Sequence, residues 1–329
     1  MTDVLILGGT GWLGGRVATA WLDAGASVTC LARGARDAPY GGRLVRADRT
    51  APGAYDEVRT RDWDEVVDVS SRAAHVAAAA GALRESARHF TYVSSVSVYA
   101  RDDEPGADER AALADPADPA DPGADGDYAG QKAAAEDAVR AAFGHRGAIV
   151  RPGLIVGPGD PTDRFGYWPA RFALAGAEPV LVPDEPDARV QVIDVDDLAA
   201  FIVAIGRAGF TGAVNAVGAS VPLGEVLRLA REASGHTGDL VAASPEALLA
   251  HGVGYWAGPR SLPLWLPAEA TGFATRSNAT YRLLGGALRP LDETIARTLD
   301  DERSRGLDRA RAAGLIRGEE IELIAALRV

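Results

Sequence analysis

The chain has 329 residues, of which 47% are hydrophobic and 24% charged, a globular composition with room for one large domain or two joined ones. Its formal net charge of −12 argues against binding nucleic acids or anionic membranes, because such binding depends on surplus Lys and Arg. There is no basic leader and no apolar run of about eighteen residues, so we expect a soluble cytoplasmic protein. The single cysteine, Cys30, forms no internal disulfide, and the five histidines lack metal-ligand spacing, so no metal is expected.

The first half of the chain alternates short apolar runs with alanine-rich helical stretches. Strands joined through helical crossovers form a parallel, doubly wound sheet, so the pattern predicts an α/β fold. We predict a dinucleotide-binding domain over 1–157, completed by 190–217, and a smaller, mostly C-terminal substrate lobe over 158–189 and 218–329. The predicted strands are 4–7, 27–32, 43–47, 65–69, 90–95, 147–152 and 212–218, and the predicted helices are 12–24, 72–88, one from Tyr128, and 190–206.

An acidic segment with a repeated Ala-Asp-Pro unit, 101–127, precedes Tyr128. Proline at every third position does not sustain a helix, and the charges resist burial. We predict a mobile surface loop, with an element docked over the site as the alternative.

The stretch GGTGWLGG follows the first strand and places Gly8, Gly11 and Gly14 three residues apart. Glycine permits a tight turn and close approach of backbone to a pyrophosphate, and a helix N-terminus supplies free amides. Between a strand and a helix, this motif predicts a Rossmann-type, dinucleotide-binding fold. The expected cofactor-binding residues of the loop are Gly8, Thr10, Gly11, Trp12, Leu13 and Gly14, with core packing as the alternative role of Trp12.

The second strand ends in Leu-Ala-Arg-Gly, without the carboxylate that usually holds the ribose 2′-hydroxyl of NAD. Arg33, together with Arg36, suits a 2′-phosphate instead, so NADP(H) is favoured over NAD(H). The alternative is that both arginines are merely solvated. Asp48, after the third strand, is expected near the adenine edge, and Arg49 is a further expected cofactor-binding residue.

Lys132, in the stretch DYAGQK, is the single lysine among the 34 basic residues. Tyr128 lies four residues earlier, so both project from one face of a helix. An ammonium favours the phenolate, and lowering a tyrosine pKa by about three units requires roughly 4 kcal/mol. Lysine does this as a compact charge that also reaches ribose hydroxyls, which a planar guanidinium would not match. At the end of the fifth strand, Ser95 is the better candidate for a hydroxyl partner and Ser94 the second, since neighbouring strand residues face opposite sides.

Five motifs occur in order over about the first 200 residues: GGTGWLG (8–14), VSSVSVY (93–99), YAGQK (128–132), RPGLIVGPGD (151–160) and VQVIDVDDLA (190–199). Together they resemble the short-chain dehydrogenase/reductase superfamily, in its extended, NAD-dependent epimerase/dehydratase-like branch. The resemblance implies that Tyr128 is the catalytic acid–base, Lys132 its activator and ribose ligand, and Ser95 the hydroxyl that orients the substrate. It also allows a homodimer. Further cofactor contacts are implied for Ser70, Ser71, Pro152, Leu154 and Ile155.

Two departures from the family bear on the substrate. Sugar-nucleotide 4,6-dehydratases usually carry an Asp-Glu pair where Val96 and Ser97 stand. Nucleotide-sugar epimerases commonly have an arginine in place of Val190, and Arg189 is one position off, which reverses the facing side on a strand.

The favoured function is therefore an NADP-dependent, reversible carbonyl/alcohol oxidoreductase acting on a small molecule. One alternative is an NAD-dependent epimerase that oxidises a sugar transiently, and the other is an inactive nucleotide-sensing or RNA-associated relative. A high-GC bacterial composition leaves a specialised metabolite and a sugar equally open as substrates. Four late aromatic residues are interpreted either as pocket lining or as core: Trp168, Tyr255, Trp256 and Trp265.

Overall fold

The computed structural model describes residues 2–118 and 126–327. The strands, in chain order, are β1 (Asp3–Leu7), β2 (Ser27–Ala32), β3 (Arg43–Arg46), β4 (Glu65–Asp68), β5 (Phe90–Val93), β6 (Gly147–Pro152), β7 (Leu154–Val156), β8 (Val180–Pro183), β9 (Arg189–Asp194), β10 (Gly212–Ala216), β11 (Ser220–Pro222), β12 (Leu240–Ala243), β13 (Gly254–Trp256) and β14 (Ser261–Pro263). The helices are α1 (Trp12–Asp23), α2 (Ala73–Leu83), α3 (Tyr128–Phe143), α4 (Arg164–Ala175), α5 (Val195–Ala208), α6 (Leu223–Ser234), α7 (Pro245–Ala250), α8 (Ala279–Leu283), α9 (Leu291–Arg305) and α10 (Arg317–Leu327).

The chain divides into two compact units. The first unit comprises Met1–Leu154, Val195–Gly218 and Arg276–Ala287, and the second comprises Ile155–Asp194, Ala219–Thr275 and Leu288–Val329.

The first unit is built on a seven-stranded parallel sheet with the order β10-β6-β5-β4-β1-β2-β3. Most residues of its central strands are apolar because helices cover both faces: α1 packs with α5, and α2 with α3. Leu5 and Val66 are fully buried against α2 and α3, and burying such a side chain contributes about 1.5–3 kcal/mol. The predicted α/β, Rossmann-type fold is confirmed.

The prediction of a helix over 190–206 is wrong at its start. The helix α5 begins at Val195, and the preceding residues form β9, which pairs with β11 in a separate three-stranded sheet, β11-β9-β7. The β-branched residues of Arg189–Asp194 favour a strand.

The two units also differ from the predicted domains at residues 276–287. Arg276 donates to the carbonyl of Arg101, and Asn278 Nδ2 donates to the carbonyls of Val217 and Gly218, each at 3.2 Å. These bonds hold the segment in the first unit.

The second unit contains the two short sheets β12-β8 and β13-β14 and a packed group of helices, α4, α6 and α9. Trp168 and Trp265 are fully buried in it, and Trp168 Nε1 donates to Pro263 O at 2.7 Å. These two aromatics therefore belong to the core, whereas Tyr255 and Trp256 are half-buried.

The acidic segment 101–127 differs from the predicted mobile loop over the part that is described. Arg151 donates to the carbonyl of Glu109 at 3.2 Å, Glu109 accepts from Asn215 N at 2.8 Å, and Tyr99 pairs with Leu113 as an antiparallel bridge. Residues 101–118 are thus anchored on the first unit. Residues 119–125 lie outside the described residues.

Within residues 2–118 and 126–327, no helix is both long and apolar enough to cross a membrane. Within the same residues, no group of three or more His, Cys, Asp or Glu side chains is placed to hold a metal ion.

Candidate active site

The glycine loop closes tightly between β1 and α1. Gly8 has φ +91°, and a Cβ on Gly14 would lie only 2.2 Å from the carbonyl oxygen of Gly8. No side chain larger than hydrogen fits at Gly14. Gly11 caps α1 without a side-chain hydrogen bond, so the first amides of the helix face the loop.

A pocket of about 600 Å³ opens beside this loop, at the carboxyl ends of the strands. Ligands bind at this edge in doubly wound folds, and the volume suits a nucleotide. The glycine cradle and the N-terminal end of α1 fit a dinucleotide pyrophosphate. Eight predicted cofactor residues line the pocket: Gly8, Thr10, Gly11, Arg33, Arg36, Asp48, Arg49 and Ser70. The others lie outside its lining: Trp12, Leu13, Gly14, Ser71, Lys132, Pro152, Leu154 and Ile155.

Arg33 and Arg36 are both exposed where they line this pocket. Asp48 lies near Arg33, and its Oδ1 accepts from Thr50 N at 2.9 Å and from Thr50 Oγ1 at 2.7 Å. These hydrogen bonds, with the charge of Arg33, lower the pKa of Asp48. Asp48 is therefore a carboxylate held in place by hydrogen bonds, and Arg33 and Arg36 are exposed cations of the pocket lining.

Arg49 has a different environment from the other two arginines. Its guanidinium makes two hydrogen bonds to the fully buried Asp68, at 2.9 and 2.6 Å, and donates to Tyr55 Oη at 2.8 Å and to His75 O at 2.7 Å. The pKa of Arg49 is raised because Asp68 outweighs burial. Arg49 thus forms the wall of the pocket through an internal ion pair.

Lys132 lies on α3 and is almost fully buried, with 3% of its surface exposed. Its Nζ donates to Ser70 O at 3.0 Å and to Val93 O at 2.9 Å, which ties α3 to the carboxyl ends of β4 and β5. Burial lowers the pKa of Lys132 to about 8, although Asp68 and Glu136 act in the opposite direction. An ammonium has three N–H donors, so one remains for a ligand.

Tyr128 begins α3 and is 46% exposed, with Lys132 Nζ 5.7 Å from the centre of its ring. The helix starts here because Asp127 Oδ1 accepts from Gly130 N at 2.9 Å and caps it. The structure therefore brings the ammonium of Lys132 close to a solvent-accessible phenol.

The two serines after β5 have different roles. Ser94 is buried and its Oγ donates to Glu136 Oε1 at 2.6 Å. Ser95 accepts from Ser97 N at 3.1 Å, so its own hydroxyl hydrogen is available to a ligand. The geometry favours Ser95 as the hydroxyl of the site and assigns Ser94 to the support beneath it.

This support is a buried network that sequence reasoning missed. Glu136 is fully buried and accepts two hydrogen bonds from Arg151, at 2.9 and 2.7 Å, and Arg151 donates to Tyr99 Oη at 3.0 Å. Burial alone would raise the pKa of Glu136, but the bonds and charge of Arg151 lower it. The sequence signal was a carboxylate one helical turn after Lys132.

Gln131 is a second missed residue. It lies within the YAGQK motif, is buried, and its Oε1 accepts from Ala73 N at 2.8 Å, the first residue of α2. It therefore caps α2 from α3 and fixes the two helices together.

The fold and this site define a class of nicotinamide-dependent enzymes. The chain belongs to the NAD dependent epimerase/dehydratase family, whose model matches residues 4–218, and it is an enzyme of that kind.

Three known proteins are similar to this chain to different extents. A ceramide reductase from Caulobacter vibrioides is 46% identical over 88 residues, which are 27% of this chain and only 26% of that protein. The UDP-glucose 4-epimerase of Thermus thermophilus, solved with NAD, is 19% identical, with 93% of this chain and 100% of that chain covered and a TM-score of 0.65. The UDP-Glc/GlcNAc 4-epimerase of Campylobacter jejuni is 14% identical, with 92% and 100% covered and a TM-score of 0.70.

Proposed function

We propose that the protein is an NADP(H)-linked oxidoreductase that interconverts a carbonyl and an alcohol on a small molecule. The observation that carries the proposal is the position of Lys132, a buried ammonium close to Tyr128 and bonded to the carbonyl next to Ser94 and Ser95. Bound cofactor supplies or accepts the hydride.

The protein residues handle the proton in this scheme. In the reductive direction Tyr128 gives its phenolic proton to the carbonyl oxygen as the carbon receives the hydride, which leaves a phenolate and an alcohol. Lys132 stabilises that phenolate by its charge. Ser95 donates a hydrogen bond to the same oxygen and so orients the substrate. In the oxidative direction the proton and the hydride move the opposite way.

The NADP(H) preference rests on Arg33 and Arg36, which place two exposed guanidinium groups on the cofactor pocket. A guanidinium makes charge-assisted, two-point hydrogen bonds to a phosphate. The similarity to a ceramide reductase supports a net reductase over an epimerase. In addition, Arg189, the arginine nearest the epimerase position, already donates to the carbonyl and hydroxyl oxygens of Ser220.

A fluorescence titration with NADPH and NADH tests the cofactor preference. We expect NADPH to bind at least about tenfold more tightly, a difference of about 1.4 kcal/mol. Arg33→Ala should lose that preference, while Arg282→Ala, an exposed arginine on α8 outside the pocket, should keep it. Equal binding of the two cofactors to the wild type would contradict the NADP(H) assignment.

Turnover separates the reductase from its alternatives. With a panel of aldehydes, ketones and keto sugars, we expect stoichiometric consumption of NADPH and its loss in Tyr128→Phe. Conversion of a sugar with no net change in cofactor would indicate an epimerase. Tight cofactor binding without any turnover would indicate an inactive relative.

A further inference from the structure

A second pocket of the first unit lies at the opposite end of the sheet from the cofactor pocket. It has a volume of about 630 Å³ and is formed by residues that precede β1, β4, β5 and β6, together with Trp21 of α1 and the end of α5. We call it the amino-edge pocket. The proposed reaction uses none of its residues.

The floor of the amino-edge pocket contains a buried histidine–carboxylate pair. His89 Nδ1 lies 2.6 Å from Glu65 Oε2, and His89 Nε2 lies 2.7 Å from the carbonyl oxygen of Phe210. A carbonyl only accepts, so Nε2 carries a hydrogen, and a second proton is shared between Nδ1 and Glu65. With that proton the pair is neutral overall, and the floor does not cancel positive charge at the rim.

Two polar atoms beside this pair are buried without a hydrogen-bond partner among the described residues: Glu65 Oε1 and Trp21 Nε1. Both side chains are 1% exposed. The backbone of Gly206 packs closely against both side chains, because a Cβ there would lie 2.9 Å from the Trp21 ring and 3.1 Å from the Glu65 carboxyl carbon. Both atoms are therefore sealed beneath the floor, and each costs free energy while unpaired.

The rim of the amino-edge pocket is positively charged. Arg88 is paired with Asp64 at 3.1 Å, but Arg146 donates to the carbonyls of Ala87 and Arg84, at 2.6 and 3.1 Å. Neither Arg146 nor Arg207 forms an ion pair within residues 2–118 and 126–327. Two uncompensated guanidinium groups at a concave surface attract anions, even in a chain of net charge −12.

We propose that the amino-edge pocket binds the phosphate group of a small anion, either inorganic phosphate or a phosphate ester. The guanidinium groups of Arg146 and Arg207 hold the phosphate through paired N–H donors. This ligand is separate from the cofactor, whose pocket lies at the carboxyl ends of the strands.

The five histidines make this proposal testable, because each reports one part of the molecule. His89 and His145 line the amino-edge pocket, His75 lines the cofactor pocket, and His236 and His251 lie in the second unit. We would record the ring ¹H–¹⁵N NMR signals of the full chain during titration with glycerol 3-phosphate, with inorganic phosphate, and with glycerol, at constant ionic strength. We expect His89 and His145 to shift with glycerol 3-phosphate and with inorganic phosphate, each with a Kd of about 1 mM, and not with glycerol.

The variant Arg207→Glu should weaken that binding at least about fivefold, while Arg282→Ala should leave it unchanged. Neither guanidinium makes a hydrogen bond among the described residues, so both variants should fold, which circular dichroism checks. No shift of His89 and His145 up to about 10 mM would overturn the proposal. So would a shift of His75 alone, which would place the anion in the cofactor pocket, or equal shifts of all five rings. A shift of His89 and His145 with glycerol as large as that with either phosphate would overturn the role of the phosphate group.

Discussion

Lys132 Nζ lies 2.9 Å from the carbonyl oxygen of Val93, and Val93 immediately precedes the serine pair of the site. One side chain of α3 thus fixes the distance between the phenol of Tyr128 and the end of β5. The same Nζ also holds Ser70 O, beside the cofactor pocket.

The first prediction concerns the identity of this residue. Lys132→Arg keeps the charge but forces a planar guanidinium into a site that is 3% exposed, where two carbonyls surround a compact ammonium. We expect kcat to fall at least about 100-fold with the fold retained. Steady-state kinetics measure kcat, and circular dichroism measures whether the fold is retained. Near-wild-type turnover of Lys132→Arg would mean that a positive charge at this position is sufficient.

The second prediction follows from the lowered pKa of Lys132, about 8, compared with an ordinary value of 10.5. Burial causes the shift, so between these two values the unfolded chain binds a proton that the folded chain has released. Stability therefore rises with pH in this window. Relative to Lys132→Met, the free energy of unfolding of the wild type should increase by up to about 3 kcal/mol from about pH 7 to about pH 10. Urea unfolding of both proteins across the range measures it, and a constant difference would contradict the lowered pKa.

The third prediction separates the two serines. Ser94→Ala removes a donor from the buried Glu136, so it should lower the free energy of unfolding by about 1.5–3 kcal/mol. Ser95→Ala should leave stability within about 0.5 kcal/mol and lower kcat/KM by about tenfold or more. Chemical denaturation and kinetics on both variants test the assignment, and the reverse pattern would make Ser94 the hydroxyl of the site.

The sequence predicted the sheet well because its signals are local. The strand at Ser27–Ala32 and the strand at Gly147–Pro152 were predicted with the observed bounds, since β-rich apolar runs alternate with helices of regular period. By contrast, Arg189–Asp194 was joined to α5 because apolar residues continue across the boundary. The pairing partner that makes it a strand, β11, lies some thirty residues further along.

Parts of the site depended on distant partners and were less predictable. The roles of Tyr128, Lys132 and Ser95 remain predictions, although the structure places them at one edge of the sheet. Arg49 was expected to bind the cofactor, but its guanidinium donates hydrogen bonds to Asp68, which lies 19 residues further along the chain. The available signal in the sequence was Asp68 itself, a charged residue that follows the apolar residues of β4. A charge buried in a central strand needs an opposite charge.

The final prediction tests the glycine loop with two neighbouring residues of α1. Gly14→Ala would place a Cβ 2.2 Å from the backbone oxygen of Gly8, whereas the nearest atom to a Cβ on Gly15 lies at 3.8 Å. Alanine favours a helix interior by about 1 kcal/mol over glycine, so Gly15→Ala should be neutral or stabilising. Gly14→Ala should lose about 1–3 kcal/mol of stability and weaken cofactor binding at least about tenfold, because the loop must move outward. Thermal unfolding and NADPH titration of the two variants measure this contrast, and cofactor binding by Gly14→Ala equal to that of Gly15→Ala would show that the loop does not hold the pyrophosphate.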